Sequence, residues 1–296
     1  MDYEVFVDGV KINSTIKAIQ ISDRQGAQAD DIRLLILNDE NLHIQRGSVL
    51  ACSFGGFSSG KMNVDTISGN SQTTHIGAKS SPLNAKKKNT RHWLKVRLFD
   101  IVNDVAINNG LSVYYQGVEN YYYENVTQFN ETDLAFLNRI CQREGYCLKI
   151  DDNRIVIYSR SAIESAKVIT TIDFNTPIDH KIAFSENPNK VTSVTVRHYS
   201  DELKSYTATR GVGGEEITIK EYAFDSAEAE RFAKGYLSTY AQDDITMDCL
   251  IAINDGIAAG CCVELKDYAM YDGKYVIFEC CHDPENNQTR LRGRKV

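Results

Sequence analysis

The segment FGGFSSGKM, Phe54–Met62, matches two patterns that carry out chemistry in other proteins. From Gly55 to Lys61 it has the spacing of a P-loop, in which backbone N–H groups hold a phosphate at the start of a helix. From Gly56 to Gly60 it has the pattern G-x-S-x-G, in which a serine, here Ser58, is the nucleophile of a hydrolase. Either match would make the chain an enzyme, so the surrounding sequence decides between them.

The residues after this segment favour neither enzyme. Met62 stands where a P-loop has the serine or threonine that binds Mg²⁺. Residues 62–70 alternate between apolar and polar and break at Gly69, which predicts a strand, whereas both motifs need a helix at this point. We therefore predict a polar hairpin loop between two strands, with Lys61 as a solvated or interface charge.

A hydrolase would also need a general base and a sheet whose strands alternate with helices. The sequence shows no such alternation, and the histidines downstream are those that any chain of this length offers. They include His75, His180, His198 and His282. We predict no catalytic and no cofactor-binding residues.

The eight cysteines do not have the spacing of a metal site. None forms C-x-x-C, which zinc sites usually contain. Adjacent cysteines on a strand point to opposite faces, so a doublet cannot readily present two ligands to one ion. We predict no metal site and interpret the thiols as small apolar filling in a reducing compartment. They are Cys52, Cys141, Cys147, Cys249, Cys261, Cys262, Cys280 and Cys281.

Composition is that of a folded soluble protein. The 296 residues are 42% apolar and 25% charged, with a formal charge of −7 that argues against general nucleic-acid binding. No stretch approaches the roughly 18 apolar residues of a membrane span. The N-terminus lacks the basic and apolar regions of a signal peptide. We expect a chain made inside the cell, without membrane contact.

The pattern of strands and helices predicts three regions. Residues 1–88 read as short strands and form a first β-barrel-like domain. Residues 89–160 contain two helix–glycine–strand units. Residues 161–296 return to strands, with one helix over 226–240, and form a second barrel-like domain. The predicted fold is mainly β with an α/β insertion: two barrel-like β domains flank a small α/β module, and helices are few.

Nine residues are predicted to shape turns and helix ends, through either positive-φ backbone or side-chain caps. They are Asp8 and Gly9, and Asp272 and Gly273, in hairpin turns; Gly110 and Gly145 at helix C-termini; Asn130 and Asp225 as helix N-caps; and Asp133, three residues after Asn130 in a near capping box.

Two further clusters could bind ligands but have plainer interpretations. The basic run Lys86–Lys88, with Arg91 and His92 nearby, could contact phosphate, although a solvated loop explains it better. The aromatic run Tyr121–Tyr123 could form a platform for a sugar or a base, and it is equally typical of a strand or a partner surface.

Several stretches spread over the chain are similar to those of one known family. The most recognisable is the helix motif usually written N-E-S/T-D-L-A-F-L-x-R-L. The stretches are Val7–Gly9, Gln28–Leu34, Leu98–Val102, Asn130–Ile140, Ala227–Glu230, Val263–Leu265 and Asp272–Val276. On these residues the chain resembles the phage late control protein D family, the hub proteins of contractile-tail baseplates. That family is similar in turn to the hub portion of type VI secretion spike proteins.

The resemblance implies a structural protein and not an enzyme. It implies a homotrimer in which two barrel-like domains per chain form a pseudo-sixfold ring that joins the tail tube to the central spike. Other baseplate and tape-measure proteins are implied partners, and DNA or other cargo passes through the lumen without specific binding. An acidic balance would suit such a lumen, because like charge prevents sticking. The implied location is the host cytoplasm during assembly and then the tail baseplate of a phage or of a headless, tailocin-like particle.

Two other functions stay open at this point. One is a tail-tip hydrolase that degrades cell wall, with Ser58 as its nucleophile. We expect no separate wall-degrading domain, because the sequence ends at Val296, directly after the last predicted strands. The other is a small-ligand or sugar-binding β protein, which only Tyr121–Tyr123 favour.

Overall fold

A computed structural model describes residues 2–26, 28–38, 43–175, 181–188, 190–199, 203–209, 213–241 and 245–296. Strands dominate, and the described residues contain four α-helices. The fold is mainly β with a small α/β insertion, as the sequence predicts. Within the described residues the strands follow an open path and do not close into a barrel.

The N-terminal region consists of strands whose apolar residues alternate with polar ones, as half-buried strands require. Ile19, Ile21, Ile32 and Leu34 are among the buried residues of its core. The strands are β1 (Tyr3–Val7), β2 (Val10–Lys11), β3 (Ile16–Arg24), β4 (Asp31–Leu37), β5 (Val49–Phe54), β6 (Phe57–Ser58), β7 (Met62–Gly69) and β8 (Thr73–Lys79).

The middle region contains two long helices, which pack on a three-stranded sheet and a two-stranded ribbon, and a short helix at its end. The sheet has the order β10-β13-β12, and β9 pairs with β11 in the ribbon. The predicted helical stripe is buried, for example at Ile101, Val102 and Val105. The elements are β9 (Lys88–Arg97), α1 (Leu98–Asn109), β10 (Ser112–Gln116), β11 (Tyr122–Thr132), α2 (Asp133–Arg143), β12 (Tyr146–Asp151), β13 (Arg154–Ser159) and α3 (Arg160–Glu164).

The C-terminal region returns to strands and includes the predicted helix. That helix, α4, shares its core with the middle region: Phe232 of α4 and Val194 of β16 belong to the same cluster as Phe136 of α2. The domain boundaries after residues 88 and 160 stay predictions. The elements are β14 (Val168–Asp173), β15 (Lys181–Glu186), β16 (Val191–Tyr199), β17 (Leu203–Thr209), β18 (Glu215–Lys220), α4 (Ser226–Tyr240), β19 (Ile245–Ala252), β20 (Cys262–Lys266), β21 (Gly273–Asp283) and β22 (Gln288–Lys295).

Two sets of six strands have the same topology. The first β unit has the sheet order β3-β4-β8-β7-β5-β1, and the second β unit has the order β15-β19-β22-β21-β20-β14. If the six strands of each unit are numbered along the chain, both orders read 2-3-6-5-4-1. In the second unit, β16–β18 and α4 are inserted between its second and third strands. One pairing differs, since β1 is antiparallel to β5 whereas β14 is parallel to β20.

The two units also match in register. β7 has a bulge between Val64 and Thr66 where it pairs with β8, and β21 has one between Ile277 and Glu279 where it pairs with β22. Aligning the two bulges superposes buried core positions of each unit. The matched pairs are Val64 with Ile277, Ile32 with Met247, Leu34 with Cys249, and Ile76 with Leu291.

Strand pairing joins the two units into one 14-stranded sheet. The N-terminal half of β21 pairs with β20, and its C-terminal half, Glu279–His282, pairs with Ile21–Arg24 of β3. Each unit keeps its own apolar core. The chain is therefore a tandem of two equivalent β units with the α/β region between them in sequence.

Candidate functional site

The glycine-rich segment is a compact turn between strands. Gly55 and Gly56 follow β5, and β6 pairs back onto β5, with Phe57 opposite Phe54. β7 begins at Met62, so a strand follows the segment where a P-loop or a nucleophile elbow has a helix. The loop is less polar than predicted, because the Phe57 ring stacks on the Phe54 ring at 4.8 Å between centroids.

His282 lies against this turn but is engaged elsewhere. Its ring centroid is 4.5 Å from that of Phe57. Its Nε2 lies 3.1 Å from the carbonyl oxygen of Ile257, which can only accept, so Nδ1 accepts from the Thr289 hydroxyl at 2.9 Å. Burial lowers the pKa of His282 to about 4, so the ring is neutral at pH 7.

His282 therefore does not act as a general base for Ser58. Its hydroxyl oxygen accepts from the Gly60 N–H at 3.3 Å. His180 lies outside the described residues. Ser58 and His282 do not form the nucleophile–base pair of a serine hydrolase. The turn instead has a structural role.

That role is to connect the first β unit to both other parts of the chain. The Gly56 N–H donates to Asp255 Oδ2 at 2.6 Å, and Asp255 lies between β19 and β20 of the second unit. The Lys61 N–H donates to Asp152 Oδ1 at 3.2 Å, in the turn between β12 and β13. At Gly55 the backbone has a φ of +51°, and a Cβ there would collide with the Asp255 carboxylate.

We expect Ser58→Ala and Lys61→Ala to change the free energy of unfolding by less than about 0.5 kcal/mol, because both side chains are exposed. Gly55→Ala should cost about 1–3 kcal/mol, because it combines a left-handed backbone with a close contact. Urea denaturation of the three variants measures this. A loss above 1 kcal/mol in Ser58→Ala, or an ATPase or esterase activity abolished by either exposed-site variant, would contradict the structural role.

The predicted turn residues lie at three sharp reversals of the chain. Asp8 (φ +51°) and Gly9 (φ +82°) join β1 to β2, and Asp8 Oδ1 accepts from the Val49 N–H at 2.7 Å. Gly110 is the left-handed C-cap of α1. Gly145 (φ +73°) directly follows Glu144, the C-cap of α2.

The caps of α2 and the turn before β21 differ from the prediction. Thr132, and not Asn130, caps α2, since its Oγ1 accepts from Ala135 N–H. Asn130 lies two residues before Thr132 at an irregularity of β11, where its φ of +47° suits asparagine. Asp225 caps α4 by accepting from Glu228 N–H at 2.8 Å.

Asp272 and Gly273 do not form a two-residue hairpin turn. β20 and β21 do pair as a hairpin, but residues 267–272 connect them. Asp272 Oδ1 accepts from the Tyr268 N–H at 2.6 Å across a short 3₁₀ turn, and Gly273 begins β21.

Asp133 is the centre of a buried hydrogen-bond network. Its carboxylate accepts from Asn89 at 2.8 Å, Gln128 at 2.9 Å, Asn109 at 2.8 Å and Arg91 at 3.2 Å. Burial alone would raise its pKa, but these hydrogen bonds and the Arg91 charge outweigh burial and lower the pKa below the usual value. The residue predicted as a capping partner therefore ties the ribbon to both α1 and α2.

Arg143 fixes α2 to α4 in a second buried network. Its guanidinium lies between the rings of Tyr123 (4.8 Å) and Phe232 (4.5 Å) and donates to Glu221 at 3.1 Å. The neighbouring carboxylate of Glu144 is fully buried and accepts from Arg231 at 2.8 Å. Local sequence could not show this cluster, because its members come from β11, α2, the β18–α4 connection and α4.

The tyrosine run does not form a flat aromatic platform. Tyr123 is buried and donates its hydroxyl to Glu144 Oε1 at 2.7 Å, whereas Tyr122 is 45% exposed. Tyr121 lies under the Arg231 guanidinium at 4.2 Å. The three rings thus serve different contacts, and two of them belong to the Arg143–Arg231 cluster.

The neighbouring carboxylates Asp30 and Asp31 hold the first β unit to the rest of the chain. Asp30, whose pKa is raised by burial, lies 3.7 Å from Lys149 of β12, which also pairs with Asp23. Asp31 pairs with Arg24, which reaches Glu279 of β21 at 2.9 Å. The Gln28–Leu34 stretch thus contacts the middle region directly and the second β unit through Arg24.

Paired charges cover a concave face of the joined sheet. The concavity has a volume of about 550 Å³ and spans strands of both β units. Its arginines are matched with carboxylates on the same face. The ion pairs are Arg24 with Asp31 and Glu279, Arg33 with Asp31, Arg290 with Asp248, and Arg292 with Glu279.

The eight cysteines are free thiols, and six of them are buried. In the described part of the chain, no three histidine, cysteine, aspartate or glutamate side chains are grouped as ligands for a metal ion. The helices in the same residues are too short or too polar to cross a membrane.

The sequence model described as phage tail baseplate hub (GPD) matches residues 75–288, more than half of the chain. The chain belongs to this family. The match includes the two buried networks and the second β unit up to the start of β22. The family is that of a structural tail component, and the predicted resemblance to phage hub proteins is confirmed. A search of curated proteins gave no match.

Solved structures share the fold of this hub chain. A tail protein from Neisseria meningitidis superposes with a TM-score of 0.78 at 15% identity, over 100% of this chain and 97% of that one. The 43 kDa tail protein of prophage MuSo2 from Shewanella oneidensis gives 0.77 at 13% identity, over 99% and 98%. An Escherichia coli component of the type VI secretion system, described as similar to the T4 tail proteins gp27 and gp5, gives 0.63 at 10% identity, over 98% and 75%. These likenesses establish the fold.

Proposed function

We propose that the chain is the structural, non-enzymatic baseplate hub of a contractile phage tail or of a headless phage-tail-like particle. Three copies form a ring that joins the tail tube to the central spike. The shared strand order of the two β units carries this proposal. Two equivalent units in each of three chains give six quasi-equivalent positions around one axis.

The proposed partners are the tail tube protein, the central spike protein, and other baseplate and tape-measure proteins. The chain assembles in the host cytoplasm and is part of the tail baseplate in the mature particle. Family membership supports this assignment.

The concave face of paired charges suits the lumen of the ring. Each arginine of that face is held by a carboxylate of the same face, so a passing polyanion meets neutralised cations. DNA or other cargo can then pass without specific binding. The acidic lumen expected from the net charge is replaced here by a face of balanced charge.

The mass of the particle in solution tests the ring. Light scattering on the chain alone should give three times the 33.3 kDa of one chain, or, where trimers need their partners, a complex with tube and spike proteins should contain three copies of the chain. Particle imaging should then show the chain between tube and spike. A monomer in both settings would exclude the hub function. A wall-degradation assay separates the hydrolase alternative, since activity that Ser58→Ala abolishes would support it.

A further inference from the structure

We infer that the C-terminal half of β7 in one copy pairs with β15 of the neighbouring copy. The pairing is antiparallel and closes the ring proposed above, on which it rests. It repeats between chains a strand pairing that already exists within the chain.

The internal pairing is that of β21 with β3. β21 is the fifth strand of the second β unit, and its C-terminal half extends beyond β20 to reach β3. β3 is the second strand of the first β unit, and it pairs with β4 on its other edge. The contact therefore joins strand five of one unit to strand two of the other.

The equivalent strands are left without this contact. β7 is strand five of the first unit; its N-terminal end pairs with Val49 and Leu50 of β5, and Thr66–Gly69 has no partner on that edge among the described residues. β15 is strand two of the second unit, and in the same part of the chain it pairs only with β19. Each copy therefore has one open edge on a fifth strand and one open edge on a second strand. Pairing of these two edges between neighbouring copies closes a ring.

Burial shows that a neighbour is missing at both edges. Ile67 of β7 is 41% exposed, whereas the equivalent Cys280 of β21 is fully buried. On β15, Phe184 is half-buried, whereas the equivalent Ile21 of β3 is fully buried beside β21. Apolar side chains on an open edge are a liability that a paired strand removes.

The internal register fixes the register between copies. Within the chain, Cys281 lies opposite Ser22, with 3.8 Å between Ser22 Oγ and Cys281 Sγ. The matched bulges align Ser68 with Cys281, and the β15–β19 register aligns Ser185 with Ser22. Ser68 of one copy therefore faces Ser185 of the next. By the same alignment Gly69 faces Phe184, and its missing side chain leaves room for that ring.

Disulfide cross-linking tests the register. After mild oxidation, the double variant S68C/S185C should give reducible dimers and trimers, and peptide mapping should show a link between positions 68 and 185. The single variants control for linkage to native thiols. S68C/K181C is the matched control, because Lys181 lies four residues along β15, about 13 Å away, and should not link.

A charge on the open edge tests the interface without a cross-link. Ile67→Asp should reduce the mass to that of a monomer and leave the melting temperature within a few degrees of wild type, because the side chain is partly exposed in a single chain. Ile107→Asp, at a 79% exposed position on α1, should leave the trimer intact.

The outcomes separate this pairing from the proposed function. If wild type is trimeric while S68C/S185C does not link and Ile67→Asp stays trimeric, the β7–β15 pairing is wrong and the ring stands. If wild type is monomeric alone and with tube and spike, both fail. Where trimers need those partners, both variants are measured in their presence.

Discussion

Replacing Asp133 with alanine is expected to lower the free energy of unfolding by about 3–5 kcal/mol, the cost of removing one partner from a buried charged network. Asn89, Gln128, Asn109 and Arg91 would lose their common acceptor, and the Arg91 charge would lose its partner. Because these donors lie on β9, β11 and α1, the variant should loosen the contact of the ribbon with both helices.

The measurement is denaturation of Asp133→Ala beside Glu230→Gln, which removes an exposed pair with Lys234 and should cost less than about 1 kcal/mol.

The stabilisation that Asp133 provides should depend on pH. The pKa of Asp133 is lower in the folded state than in the unfolded state. Its contribution to the free energy of unfolding is therefore present above the unfolded pKa near 3.8 and is lost as the pH falls through the folded pKa. The difference between wild type and Asp133→Asn should therefore shrink below about pH 4. A difference that grows on acidification would contradict this assignment.

Arg143→Ala is expected to have an effect of similar size, about 3–5 kcal/mol. The substitution leaves the carboxylate of Glu221 without its closest cation in a half-buried setting and opens a space between Tyr123 and Phe232. α2 and α4 approach closely here, because a Cβ at Gly235 of α4 would collide with the Arg143 carbonyl oxygen. The two helices are in backbone contact at the position that Arg143 supports.

Hydrogen exchange locates the effect of Arg143→Ala. Faster exchange should appear in α4 and at the end of α2, while the first β unit keeps its protection. Arg154→Ala is the matched control, since Arg154 is 47% exposed and pairs only locally with Asp151 in the described contacts. An equal loss of hydrogen-exchange protection in Arg143→Ala and Arg154→Ala would show that the buried network is not what stabilises α4 and the end of α2.

Local patterns were sufficient to predict the fold class and three of the four α-helices in the described residues; the short α3 was not predicted. The stripe of α4 and its cap at Asp225 follow from spacing alone, and α4 begins and ends where predicted. Asn130 failed as a cap because Thr132, two residues on, has an equally suitable side chain. Sequence does not distinguish between two such neighbours when a strand irregularity separates them.

Long-range partners could not be predicted. Asp133 was interpreted from its helix position, yet its donors Asn89 and Asn109 lie 44 and 24 residues away. The tandem units leave no recognisable sequence repeat for a similar reason. Matched core positions such as Leu34 and Cys249 share burial but not residue type, and an inserted helix and sheet interrupt the second unit.

The P-loop and elbow patterns failed because both are defined by residue types without their flanking geometry. Gly55–Lys61 has the glycines of a phosphate site, but β7 follows it. The glycines instead permit a turn whose N–H groups reach Asp255 and Asp152.

The pairing of β3 with β21 also sets the order in which the chain can fold during synthesis. Arg24 and Glu279, which meet across this pairing, are separated by 255 positions. At translation rates of 5–20 residues per second, β3 emerges roughly 13 to 50 s before its partner strand. Throughout that interval the nascent chain carries an open strand edge. Asp23 and Arg24 place charge on that edge, which discourages premature pairing with other chains until β21 arrives.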